Sequence, residues 1–161
     1  MFSYFKHRKQ DLAARTLIKV ALQGQINDAF EQNESLVSER LNSVFFVGYT
    51  WYFTRICFTN LNLRSGGEPA EKHIKFILKS EHFGEQLVGT FFRQMSAIEI
   101  AKTFEDQNKI IIGQNFSPAE MMRLFEDGSH AGMADAVRMG DASLLKQYLL
   151  NKLDFNDIPK C

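Results

Sequence analysis

The chain has 161 residues, of which 45% are hydrophobic and 24% charged, which is ordinary for a globular protein. Its 19 basic side chains balance 19 acidic ones, so the general electrostatic argument for a nucleic-acid or anionic-membrane partner is absent. The length predicts one domain, 1–161, with room for a real core, and 15 phenylalanines predict that the core is aromatic.

Met1–Lys9, MFSYFKHRK, carries charge with no apolar run behind it, which does not fit a secretory leader. Positions 1–10 read as a basic and aromatic lead-in with Phe2, Tyr4, Phe5, Lys6, His7, Arg8 and Lys9. The cluster is too short to anchor on a membrane without a second signal. Asp11 to Gln32 then reads as an amphipathic helix capped by Asp11, with Ala14, Ile18, Ala21, Leu22, Ile26 and Ala29 on one stripe. Asn33–Ser35 makes a tight connection or a kink.

Val44–Phe58, VFFVGYTWYFTRICF, is the most apolar and aromatic stretch. Its composition suits a strand. Its pattern suits a helix, because Ser43, Thr50, Thr54 and Cys57 fall on one seam and Leu41, Phe45, Tyr52 and Ile56 on the opposite side. The pattern predicts a helix over about 35–60, with Gly48 marking a close approach, since glycine there costs about 1 kcal/mol against alanine. The run is too short to span a membrane, and Arg55 interrupts it.

Residues 62–68, NLRSGGE, form the clearest loop, and Pro69 opens a helix with Ile74, Ile77 and Leu78 on its buried edge. A further helix covers about 85–104 through Leu87, Val88, Phe91, Met95 and Ile98, and its Gly89 signals close packing or a local weakness. Lys109–Gly113, KIIIG, reads as extended coil. Ser117-Pro118-Ala119-Glu120 is a capping box that starts a helix, with Gly128 as its end. A short helix over about 130–139 stops at Gly140. Asp141 caps the last one, whose buried face is Leu144, Leu145, Tyr148, Leu149 and Leu153, and a tail follows over 157–161. The sum is an all-α single-domain bundle of about five to seven helices around a central aromatic helix.

Within that last third, Ala134–Asn156 resembles the helix pair of a single ankyrin repeat, through Ala136, Gly140, Asp141, Leu145, Leu149 and Asn156. The segment lacks the opening Thr-Pro-Leu-His of that repeat, and the chain has no second copy. A lone repeat cannot bury its own face, so the stretch reads as an ordinary capped helical hairpin and no family is assigned.

Chemistry-bearing motifs are sparse. The phosphate loop, the dinucleotide fingerprint and the nucleophile elbow are all missing from the sequence. The two cysteines, Cys57 and Cys161, do not make a disulfide framework; Cys57 reads as a small hydrophobe, and the usage fits a reducing, cytoplasmic compartment. Glu71, His73, Glu81, His82 and Glu85 cluster in sequence without the convergent ligand pattern of a zinc or di-iron site, so neither metal nor cofactor is expected. Glu120, Glu126, Asp127, Asp135 and Asp141 outnumber Arg123 and Arg138 in the region that most resembles a helix-turn-helix, which argues against a DNA-reading head.

Two stretches remain as candidate sites. Tyr49, Trp51, Tyr52 and Arg55 point in different directions around one helix and belong to the residue types that dominate interface hot spots. Met121, Met122, Met133 and Met139 offer an adaptable surface. The expectation is a non-enzymatic module that binds another protein or itself as a homodimer, without stable membrane insertion. The rival is a binder of small apolar ligands, its pocket between aromatic helices anchored by Thr50, Thr54, Tyr52 or Arg55. An enzyme with a dispersed active site ranks third.

Overall fold

A computed structural model describes residues 2–61, 71–80, 82–104, 117–138 and 143–159, and the side chains of these positions apart from 2–9 and 104. The expected loop at 62–68, Pro69, Glu81, the Lys109–Gly113 segment, Met139, Gly140, the Asp141 cap and Cys161 lie outside the described residues.

The described residues form an all-α bundle of seven α-helices with no strand among them: α1 Phe2–Gln32, α2 Glu34–Leu41, α3 Val44–Asn60, α4 Glu71–Leu78, α5 Gln86–Phe104, α6 Pro118–Val137 and α7 Ser143–Leu149. A 3₁₀ turn, Phe155–Asp157, follows. Buried residues from all seven helices join one hydrophobic cluster. Helix α3 packs against α1, α5 and α6, and α7 against α1, α2 and α6.

Helix α1 begins at Phe2, so Asp11 lies inside it rather than capping it, and the expected lead-in is helical. Nothing between 2 and 11 is Gly or Pro, the residues that interrupt a helix. Ala14, Ile18, Leu22, Ile26 and Ala29 are buried as the stripe predicts. Ala21 is exposed, because the buried line runs 18–22–26 and leaves position 21 on its edge.

The helix expected over 35–60 is two helices. Ser43 adopts extended backbone and caps α3, accepting a hydrogen bond from the Phe46 N–H at 3.2 Å. Asn33 caps α2 in the same way, accepting from the Leu36 N–H at 3.1 Å. A serine hydroxyl competes well with the helical ladder at such a point, and here Tyr148 of α7 holds it by donating to Ser43 Oγ at 2.8 Å.

Helix α6 starts at the expected capping box, with Ser117 Oγ accepting from the Glu120 N–H and the Glu120 carboxylate accepting from the Ser117 N–H. It then runs unbroken to Val137, so Gly128 does not end it and no separate helix begins at 130. The reason lies across the interface. A Cβ on Gly128 would stand 2.1 Å from the Phe45 carbonyl oxygen, and one on Gly132 2.3 Å from the Tyr49 carbonyl oxygen. From the other side, a Cβ on Gly48 would stand 2.2 Å from the Phe125 carbonyl oxygen. The two backbones touch, as Gly48 foretold, and only small residues at four-residue spacing permit that. Gly89 has open space where a Cβ would be, so it is a weak point of α5 and not a contact.

Helix α7 is held at its C-terminal end by a Schellman motif. Lys152 N–H donates to the Gln147 carbonyl and Asn151 N–H to the Tyr148 carbonyl, with Asn151 at φ 56°. Asn151 Oδ1 accepts from Arg40 of α2 at 2.7 Å. No described helix is long and apolar enough to cross a membrane.

Candidate functional site

Helix α3 buries Val44 through Thr50, Phe53, Thr54, Cys57 and Phe58. What it leaves half-open is Trp51, Tyr52, Arg55 and Ile56. These positions share one side of the helix. The structure therefore brings together three of the four residues expected to form a binding face. Tyr49, the fourth, is fully buried. The Arg55 guanidinium lies 5.8 Å from the Tyr52 ring centroid, and Tyr52 meets Phe125 of α6 edge-on at 6.3 Å. Phe125 and Met122, one turn apart on α6, are half-buried too, so the open strip crosses from α3 to α6. Of the other methionines, Met121 is fully buried and Met133 half-buried.

Behind this strip lies a polar centre that sequence reasoning missed. The Tyr49 hydroxyl donates to Asp135 Oδ2 at 2.7 Å. The same oxygen accepts from the N–H groups of Leu144 at 3.1 Å and Leu145 at 3.4 Å, in the first turn of α7. One carboxylate oxygen thus ties α3, α6 and α7. Asp135 is buried, so of the acids counted against a DNA-reading head it is one that faces the core. Its Oδ1 has no hydrogen-bond partner. Burial raises its pKa above the usual carboxylate value, against the lowering effect of the three hydrogen bonds. Tyr49 is raised well above the usual phenol value, by burial first and then by the Asp135 charge. The sequence did hold a signal: Asp135 is a lone charge in the small-residue run Ala131-Gly132-Met133-Ala134-Asp135-Ala136, where an unpaired acid is costly.

The anchors considered for a ligand pocket divide the same way. Thr50 and Thr54 are fully buried, with hydroxyl oxygens that find no partner, while Tyr52 and Arg55 stay half-open. Burial pushes the Cys57 thiol up to about 11, which fits a small core hydrophobe.

No group of three or more His, Cys, Asp and Glu that could hold a metal occurs among the described residues. Glu71 pairs with Lys75, and Glu85 with Lys79 at 3.4 Å. His82 stacks on Phe30 at 5.5 Å. His73 is buried edge-on to Phe58 at 5.1 Å. Burial, then the Lys72 and Arg15 charges, lower the His73 pKa. A neutral imidazole in the fold and a protonatable one in the unfolded chain give stability that is present above the ordinary histidine pKa and lost as pH falls through the folded value. Urea midpoints across this range should therefore fall on acidification by more in the wild type than in His73→Phe.

A surface cleft of ≈ 320 Å³ lies where α1, α2 and α5 meet the α4–α5 turn, walled by Phe30, His82 and Phe83 with Glu34, Asn42 and Thr90 among its polar lining. In that turn Ser80 Oγ accepts from the N–H groups of His82 and Phe83, and Gly84 sits at φ 54°. Comparison of the chain with protein-family models, curated proteins and solved structures finds no match.

Proposed function

We propose that this protein is a non-enzymatic interaction module of the cytoplasm that binds another protein through the strip formed by Trp51, Tyr52 and Arg55 on α3 and Phe125 on α6. The observation that carries the reading is the character of the open side of α3. Its buried sides already take most of its aliphatic and phenylalanine residues, yet its half-open side still carries the large side chains of Trp51, Tyr52 and Ile56 beside a single charge, Arg55. Those types anchor interfaces because they present large rigid area with a polar handle. The cytoplasmic assignment is supported by cysteine usage, with Cys57 a free thiol in the core.

Trp51 is the only tryptophan, so its fluorescence reads this strip directly. A partner that binds here shifts Trp51 emission to the blue and shields it from iodide, and Arg55→Glu weakens that partner with little change in the unfolding midpoint. A partner that binds while Trp51 emission and iodide access stay unchanged would place the function elsewhere. The cleft beside His82 favours a second reading, binding of a small molecule, since its volume reaches the lower end of ligand pockets. A compound retained in native mass spectrometry would favour it.

A further inference from the structure

The cleft beside His82 has a built aromatic corner. Phe83 stands edge-on to Phe30, with ring centroids 5.1 Å apart and planes at 84°. His82 stacks over Phe30 at an interplanar angle of 27°. The turn that carries His82 and Phe83 is tied down before any ligand arrives. Ser80 is buried, and its hydroxyl holds both of their N–H groups. The Ser80 and Gly84 backbones bond to each other in both directions. Phe30 and Phe83 also pack on the hydrophobic cluster beneath them. A site fixed in this way loses little ordering entropy on binding.

The charge in the cleft is one-sided. Glu34 is the only carboxylate of its lining, and no lysine or arginine lines it. Arg93 donates to Thr90 Oγ1 at 3.0 Å but lines the adjoining depression beside Gly89. Glu34 opens α2, where the helix dipole favours a carboxylate. It makes no ion pair among the described residues, so its counter-charge is left to come from outside. A phenyl face attracts a cation through the ring quadrupole. The Phe30–Phe83 corner offers ring carbon and no hydrogen-bond acceptor, which suits a cation whose methyl groups replace its N–H donors. We propose, resting on the small-molecule reading of this cleft, that it binds a free methylated or quaternary ammonium compound. The cationic head sits in the corner of Phe30 and Phe83, and Glu34 balances its charge. The cleft volume of ≈ 320 Å³ suits such a head with a short chain.

Calorimetric titration of the full chain with choline, with proton NMR of the His82 ring to place the site, tests it. Choline binds at millimolar concentration and shifts the His82 resonances. Its uncharged isostere, with carbon in place of nitrogen, binds about tenfold more weakly. Phe83→Leu keeps the apolar packing but removes the ring face, and weakens choline by roughly fivefold while leaving the isostere unchanged. Glu34 is exposed, so Glu34→Gln spares the fold, and it weakens choline by roughly threefold. Choline left unbound at hundred-millimolar concentration overturns the proposal. So does choline binding that survives both Phe83→Leu and Glu34→Gln. An isostere that binds as well as choline and still shifts His82 keeps the small-molecule reading and overturns the cationic class alone. If neither compound shifts His82, the proposed class and the small-molecule reading fall together. Phosphatidylcholine vesicles leave the protein in the supernatant, and co-sedimentation with them would overturn a free compound in favour of a lipid headgroup.

Discussion

Replacing Gly128 or Gly132 with alanine lowers the stability of the protein, although alanine is the better helix former. Helix propensity alone predicts a gain of about 1 kcal/mol at each site. Packing predicts the reverse. The new methyl group would stand 2.1 Å from the Phe45 carbonyl oxygen in one case and 2.3 Å from that of Tyr49 in the other. Both obstacles are backbone, so no side chain can rotate away. The helices must separate by more than an ångström along a face that also carries Tyr49 and Asp135. Overpacking of this kind costs 1–3 kcal/mol and at times more, so a net loss of roughly 2 kcal/mol is expected. Gly89→Ala supplies the control, because open space surrounds that position and the same substitution should raise the midpoint. Chemical denaturation of the three variants decides the matter, and a raised midpoint for Gly128→Ala would mean that α3 and α6 do not touch as described.

Asp135→Ala has the second large effect. It strips the acceptor from the Tyr49 hydroxyl and from two N–H groups of α7 in one step. Each buried donor left without a partner costs about 1–3 kcal/mol, so the total is expected near 3 kcal/mol or above. Tyr49→Phe removes one donor and spares the α7 cap, and costs about 1 kcal/mol. Asp135→Asn keeps an acceptor while removing the charge, and its comparison with wild type carries a pH signature. Because the folded carboxyl has a raised pKa, the native state holds more protons than the unfolded chain between the ordinary carboxylate value and the folded one. The stability of wild type relative to Asp135→Asn therefore improves as pH falls through that window and levels off below it. Midpoints measured from neutral pH downward check the sign.

Much of the helical order was readable before any coordinates. The Ser117 capping box, the extent of α5 and four of the five residues expected on the buried face of α7 follow from local rules, while Leu153 lies beyond that helix and is half-buried. Two errors concern where helices begin and end. Gly128 looked like a helix end because glycine usually acts through its own backbone freedom, and here it acts through what it lets a neighbour do. Ser43 looked like one more polar residue on a helical seam, although its capping bond to the Phe46 N–H is local and Tyr148, 105 residues away, adds a further hydrogen bond to it. The strand-like composition of Val44–Phe58 was outweighed by packing, since β-branched and aromatic residues suit any well-filled surface. For the proposed strip, the sequence marked the side-chain types but not which way each one faces. Trp51, Tyr52 and Arg55 lie together, but Tyr49 turns inward toward an acid whose burial no local pattern announces.

The touching backbones of α3 and α6 also bear on how the chain is born. The most apolar helix leaves the ribosome about 80 residues before its partner glycines, which at synthesis rates of about 5–20 residues per second is a wait of roughly 4 to 16 seconds. During that interval the Phe45–Tyr49 ridge has no α6 to cover it. A nascent chain of this protein therefore presents its stickiest surface early, and chaperone capture at the tunnel exit should concentrate on lengths between the emergence of α3 and that of α6.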